Sequence, residues 1–409
     1  MEAMKPLIFI EDRQFWYETL RALGHTAYGG ADIGEVLTTA QRITAGDYDS
    51  WYGEWLATAD AISAEAESAS KAGHGVSAHD GWLRASNYYR TAEFFLHGNP
   101  ADPRIDHVYY RSVDSFRAAA ALGPTSIEPV EIPYENTVLH GYFYRAAGSS
   151  KDAIRPTIVL HSGFDGSAEE MHFHGAAAGA ERGYHMLSFD GPGMPAARHR
   201  DGLVFRPDWE NVVGPVVDWL LGVPGVDVGR VGLMGYSMGG LLAPRAAAFE
   251  HRLSACIAVD GVFDLGSAAL ARMPDQNRDD VERLLRSDHA PEVDAALEEA
   301  MDNNSTLRWM MGNGCYVMGA KTPREFLAHW FDYTLDGGIA ERIACPTLVC
   351  DAEDDMFFAG QPDQLYEHLT APKTMMRFTN AEGSGAHCHT GAERLANARI
   401  FDWLDENLT

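Results

Sequence analysis

From about residue 126 the chain alternates short runs of consecutive apolar residues with longer amphipathic stretches. The apolar runs are "PTIVLH" (156–161), "YHMLSF" (184–189), "RVGLMG" (230–235), "ACIAVD" (255–260), "PTLVCD" (346–351) and "TMMRF" (374–378). Strands that are apolar throughout, separated by helices, predict a mostly parallel sheet covered on both faces, the α/β class. Just ahead of them, "SIEPVEIPYENTVLHGYFYRA" (126–146) places two β-rich runs on either side of "YEN" and predicts an antiparallel hairpin at the sheet edge.

Two regions break this rhythm. Residues 1–125 are helical in pattern, as in "WYGEWLATADAISAEAESASKAG" and "AHDGWLRASNYYRTAEFFLHG", which repeat apolar residues three or four apart and end at glycine. They are expected to form a separate helical domain. Its aromatics Tyr88, Tyr89, Phe94 and Phe95 could face a ligand, although at helical spacing such residues are more often core. The second region lies between Asp260 and Pro346, where helical pieces such as "DQNRDDVERLLRS" and "TPREFLAHWFDYTL" occur without a convincing strand. An inserted helical cap, at about 265–340, is expected within a sheet-bearing domain 126–409.

Composition narrows the partners. The 409 residues are 46% hydrophobic and 22% charged, as in folded proteins, and carry a formal charge of −27. That field repels phosphate backbones and anionic lipid, so nucleic acid and membrane surfaces are excluded as expected partners. The five cysteines show neither a C-x-x-C pair nor zinc-like spacing and are expected to be reduced. The first residues lack the long apolar region of a leader peptide, so a cytoplasmic location is expected.

Chemistry concentrates where strands end. The run 230–235 enters "GYSMGG" and then a helix-forming stretch, the strand-turn-helix context of a nucleophile elbow centred on Ser237. A serine hydroxyl needs a neighbouring base, usually a histidine oriented by a carboxylate, and on this fold the chain order is Ser, acid, His. "DAEDDMFF" follows the strand at 346–351 and offers Asp355, with Asp354 as the second choice. "GSGAHCHTGA" follows the last strand and offers His387, closer to the flexible glycines, with His389, closer to the helix start, as the alternative; a metal pair of His387 and His389 with Cys388 lacks further ligands. The backbone N–H of Met238 and that of Phe164, with Asp165 as the second choice, are the expected oxyanion donors. Ser167 and Glu170 have the spacing of a capping box beside that loop. Asp165 is out of place there, because its charge would oppose an oxyanion; it is expected either to hold a donor group of the substrate, with Tyr236 as a neighbouring contact, or to cap the turn.

With these residues in place, the chain resembles the α/β-hydrolases related to 2,6-dihydroxypseudooxynicotine hydrolase, a group similar to the fungal polyketide-shortening hydrolases. The likeness runs through the helical N-terminal region, "VEIPYENTVLHGYFY", "GFDGSAEE", "RGYHMLSFDGPG", "GYSMGG", "CPTLVCDAEDD" and the "HC" of "GAHCHTGA". It implies an α/β-hydrolase fold and a Ser237–His387–Asp355 triad, with Asp165 falling where the nicotine-degrading relative has Glu. It also implies acyl-enzyme hydrolysis of a bulky aromatic carbonyl compound, including carbon–carbon cleavage of an activated ketone. A carboxylesterase or amide hydrolase, and a cyclase or binding protein that does not hydrolyse, are the alternatives. No cofactor or metal is expected, the partner is a small molecule, and a homodimer is expected.

Overall fold

The apolar runs all lie in one sheet of eight strands in the computed structural model, which describes residues 4–150, 153–271 and 276–408. The strands are β1 Ile127–Tyr134, β2 Thr137–Tyr144, β3 Arg155–His161, β4 His185–Phe189, β5 Val226–Tyr236, β6 Ala255–Val259, β7 Thr347–Ala352 and β8 Lys373–Phe378. Their spatial order is β1-β2-β4-β3-β5-β6-β7-β8. β1 and β2 form the antiparallel hairpin, with Tyr134 opposite Thr137, and β2 also runs antiparallel to β4. All remaining neighbours are parallel. β4 and β6 are buried at every position, which is why their sequences are apolar without alternation. Parallel pairing puts the carboxyl ends of β3, β5, β6 and β7 at one edge, where their following loops meet.

The N-terminal helices are Arg13–Gly24, Ile33–Ala40, Tyr48–Lys71, Gly75–Glu93 and Pro103–Ala120. Their starts are legible in sequence: Asp12 caps the first through the N–H groups of Gln14 and Phe15, and Asp47 and Asp102 cap the third and fifth in the same way. Tyr48–Lys71 buries Trp51, Trp55, Ala59 and Ala66, a single stripe down one side. Gly81 of the next helix meets that stripe so closely that a methyl group there would lie 2.8 Å from the Ala66 Cβ.

The helices of residues 1–125 pack onto the rest of the chain through a continuous apolar interior. One apolar cluster runs from Phe15, Trp51 and Phe95 through Phe164 and Trp309 to Val159 and Leu233 of the sheet. The N-terminal helices therefore share one interior with the sheet and with the helices between β6 and β7. Tyr88, Tyr89 and Phe95 are core residues; the Tyr88 hydroxyl donates to Glu35 at 2.7 Å.

Between β6 and β7 the chain forms helices Leu265–Leu270, Arg278–Leu285, Pro291–Asp302, Ser305–Met318 and Pro323–Trp330, with no strand among the described residues. Among the described residues no helix is long and apolar enough to cross a membrane.

Candidate active site

β5 ends in Tyr236, Ser237 follows with φ of +60°, and the helix Gly239–Ala247 begins two residues later. The Ser237 N–H donates to the Val259 carbonyl of neighbouring β6 at 2.5 Å, which ties the turn to the sheet. A positive φ at a non-glycine residue is a strained conformation that the surroundings must hold in place. Gly240 lies so close to the Asp260 carbonyl that no side chain fits there. The loop after β3 presses from the other side: a Cβ at Gly163 would sit 2.7 Å from the Met238 nitrogen. The glycines quoted in the sequence are thus required by backbone approaching backbone.

The acidic loop after β7 divides its four carboxylates among separate partners. Asp351 pairs with Arg377, Glu353 accepts from the Asn380 N–H at 2.7 Å, and Asp354 lies 3.6 Å from Arg13 at the surface. Asp355 turns inward. Its Oδ1 accepts from the N–H groups of Phe357 and Phe358 at 2.7 and 3.1 Å, and its Oδ2 lies 2.9 Å from His387 Nδ1. His387 Nε2 is 2.9 Å from Ser237 Oγ. The structure therefore brings together Ser237, His387 and Asp355 and leaves Asp354 outside.

Burial opposes charge on both members of the pair, yet their mutual attraction wins. Asp355 is held below the usual carboxylate range by the His387 charge and by its two backbone donors, and His387 is held well above 6.5 by Asp355. Tyr17 of the first helix donates to the His387 carbonyl at 3.2 Å, fixing the histidine turn from above.

A second carboxylate, Asp260, directly follows β6. Fully buried, it accepts from the Cys388 N–H at 2.8 Å through Oδ2, and the same oxygen lies 3.3 Å from His387 Nδ1. Burial raises its pKa, and the Asp355 charge adds to the effect. A signal was present, since "ACIAVD" places an acid at the carboxyl end of a central strand. His389, the alternative histidine, lies behind this layer, 3.7 Å from Phe378 between ring centroids, and burial lowers its pKa to about 3. The Cys388 thiol lies 3.4 Å from His387 Nε2.

Among the described residues the N–H groups of Phe164 and Met238 have no intramolecular acceptor, and both residues border the cavity in front of Ser237. The Phe164 carbonyl is held by Asn313 of the cap at 2.9 Å, so the loop's peptide plane is braced from outside the sheet.

Asp165 borders the same cavity, and its Oδ1 lies 3.3 Å from both terminal nitrogens of Arg21, which arrives from the first N-terminal helix. Arg21 also grips Glu170 through two bonds of 2.8 and 2.7 Å, and Arg90 approaches the same Glu170 at 3.4 Å. Arg21 compensates the Asp165 charge, which removes the objection to an acid beside the oxyanion loop. The capping box is half formed: the Glu170 N–H donates to Ser167 Oγ at 3.2 Å, while the Glu170 carboxylate goes to Arg21. Glu18 joins this cluster, and burial pushes its pKa up to about 7. Glu18 and Arg21 stand three apart amid the apolar residues of "FWYETLRALG", a trace of buried ionic pairing.

The cavity has a volume of about 270 Å³. Phe164, Met171, Trp309, Trp330, Phe357 and Phe358 are among the side chains of its apolar wall, from sheet loops and cap alike. Tyr236 also lines it, but its hydroxyl donates to the His174 carbonyl at 3.2 Å. Tyr236 thus presents its ring to the cavity.

The sheet order, the strained turn after β5 and the cavity at the carboxyl edge define an α/β-hydrolase. Residues 11–323 match the family described as "Esterase FrsA-like", and the chain belongs to that family. It is 37% identical over 404 residues to "Hydrolase LUC6" of Fusarium sp, with 96% of each chain covered. It is 36% identical over 403 residues to "20-hydroxy-prefusarin hydrolase FUS2" of Gibberella moniliformis, again with 96% of each covered. Among solved structures, 2,6-dihydroxy-pseudo-oxynicotine hydrolase superposes with a TM-score of 0.73 at 21% identity, covering 95% of this chain and 96% of the other. That likeness extends through the N-terminal helices as well as the sheet. The protein is a hydrolase of the α/β fold.

Proposed function

We propose that the protein is a serine hydrolase acting on a bulky, largely apolar carbonyl compound with aromatic character. The observation that carries this reading is His387, bridging Ser237 Oγ and Asp355 Oδ2 at 2.9 Å on each side. His387 removes the Ser237 proton as Oγ adds to the carbonyl carbon, and Asp355 steadies the imidazolium. The N–H groups of Phe164 and Met238 receive the oxyanion. Collapse breaks the bond to the leaving group, which takes the electron pair and the proton from His387. Water, deprotonated by the same histidine, then releases the acid.

The aromatic walls support a substrate with flat apolar surface, and one relative is named as a hydrolase of 20-hydroxy-prefusarin. With a ketone, the bond broken joins the carbonyl to carbon, and the electron pair leaves as a carbanion that must be stabilised and protonated. Asp165 and Tyr236 belong to this proposal as wall residues beside the reacting carbonyl. The family's esterase description favours a second reading, in which the leaving atom is oxygen.

Mass spectrometry after treatment with a fluorophosphonate probe tests the mechanism: the adduct is expected on Ser237 and absent in Ser237→Ala. An adduct elsewhere, or none on folded protein, overturns it. A panel of aryl β-diketones and p-nitrophenyl esters separates the two readings by kcat/KM.

A further inference from the structure

Away from Ser237, Glu93 closes the helix Gly75–Glu93, His97 lies in the turn that follows, and His199 stands on the helix Pro195–Asp201 after β4. Glu93 Oε1 is 3.1 Å from His97 Nε2 and 3.1 Å from His199 Nε2. The three ligand atoms lie within 4.8 Å of one another, and all three side chains are at most 13% exposed.

The far nitrogens of both rings fix where their protons are. His199 Nδ1 faces the Asp106 carboxylate at 2.8 Å, a group that only accepts, so this nitrogen carries the hydrogen. His97 Nδ1 faces Asn313 Oδ1 at 2.8 Å; the Asn313 Nδ2 is committed to the Phe164 carbonyl, so Oδ1 also accepts. Both rings therefore turn Nε2 toward the same carboxylate oxygen, Glu93 Oε1, so the three atoms converge on one point.

We propose that Glu93, His97 and His199 form a binding site for a divalent transition-metal ion of the zinc class. Two imidazole nitrogens and one carboxylate oxygen are a donor set that Zn²⁺ takes with bonds of about 2.0–2.2 Å, and a tetrahedron of that size separates its ligand atoms by about 3.3 Å. The 3.1 Å spacings are close to that value. Histidine ligands are normally oriented through the second ring nitrogen by a carboxylate or carbonyl, the role Asp106 and Asn313 fill. Stacking fixes both rings further: His199 lies 4.0 Å from Tyr109 at 1° and His97 lies 4.5 Å from Tyr316 at 4°. An adjoining void of about 30 Å³ has room for one water as a fourth ligand. The arginines bordering that void are engaged elsewhere, Arg90 with Glu170 and Arg198 with the Tyr316 carbonyl.

The site joins the N-terminal helices to the segment after β4. Through Asn313 it also reaches the Phe164 peptide, so bound metal would brace the oxyanion loop without touching substrate. Spacing along the chain could not show this, since the third ligand comes from a distant segment.

The test uses the full chain, stripped with chelator and then titrated with Zn²⁺, and with Co²⁺ for its visible ligand-field bands. One equivalent is expected to bind and to raise Tm. His199→Ala should abolish both effects. Asp106→Asn, at an exposed partner, should weaken affinity by about 10–100-fold without unfolding the protein. The proposal is overturned if folded wild type binds no metal. It is equally overturned if His199→Ala and Glu93→Gln both retain the equivalent, which would place the ion at another cluster such as Asp260, His387 and Cys388. Fluorophosphonate labelling of Ser237 is independent of either result.

Discussion

Arg21 holds Asp165 at 3.3 Å, and through that contact the first N-terminal helix reaches the loop that carries the Phe164 N–H. The same guanidinium grips Glu170 by two bonds in a setting where all but Asp165 are nearly inaccessible to solvent. The N-terminal helices are therefore an electrostatic wall of the site as well as an apolar one.

Removing that cation takes the guanidinium from Asp165 and Glu170 and leaves Arg90, at 3.4 Å, as the remaining arginine on Glu170. Arg21→Met is expected to cost about 3–5 kcal/mol of unfolding free energy, the usual penalty for stranding a buried charge. Arg21→Lys should recover only part of it, because an ammonium lacks the fork that spans both Glu170 oxygens. Urea denaturation followed by tryptophan fluorescence measures both, and an unchanged midpoint in Arg21→Met would show that the cluster carries no stability.

Two acids face one ring nitrogen of His387, and their roles separate by substitution. Asp355→Asn should lower kcat by about 10⁴-fold, since an amide cannot steady the imidazolium and favours the wrong tautomer. Asp260→Asn should lower it by only about tenfold, the size of one weaker hydrogen bond. A larger loss in Asp260→Asn than in Asp355→Asn would move the orienting role to Asp260.

The pH profile follows from the same pair. In the proposed mechanism the neutral imidazole is the base, and Asp355 raises the His387 pKa well above 6.5, so kcat/KM should rise with pH along a limb centred above that value. Asp355→Asn should shift this limb downward. The sign for stability is opposite. The His387 contribution is complete below its ordinary value of 6.5 and is lost as pH rises through its raised pKa. That of Asp355 is present above 3.8 and is lost as pH falls through its lowered pKa. The pair thus stabilises most between those two limits, on the acid side of the activity limb. A limb at or below 6.5 in the wild type would contradict the pairing.

Gly163 offers a test of the oxyanion site that leaves every polar group in place. In Gly163→Ala the new methyl would lie 2.7 Å from the Met238 nitrogen and 2.8 Å from that of Gly239, both backbone atoms. Displacing the Met238 N–H should lower kcat by about 10²–10³-fold, the cost of one oxyanion donor, with a smaller change in KM. Steady-state kinetics on the substrate found by the panel measures it, and wild-type kcat in this variant would place the oxyanion elsewhere.

What the sequence determined by itself is local. Runs apolar at every position specify strands buried on both faces, aspartates before amphipathic stretches specify helix starts, and glycines packed around Ser237 specify a turn where backbones meet. Each of these signals is carried by neighbours within one or two turns of chain. The order serine, acid, histidine was legible for the same reason, because each candidate follows a recognisable strand.

Tertiary structure decided the pairings. Asp354 and Asp355 are adjacent in sequence, and only the turn after β7 aims one at Arg13 and the other at His387. Asp260 gains its place beside His387 from the parallel pairing of β6 with β5 and β7. Asp165 was legible as an anomaly, but Arg21, the residue that resolves it, lies on a helix whose own periodicity says nothing of what it packs against. Periodicity encodes which face of an element is buried; which charges meet there depends on how separate elements pack, and that packing exists only in the folded chain.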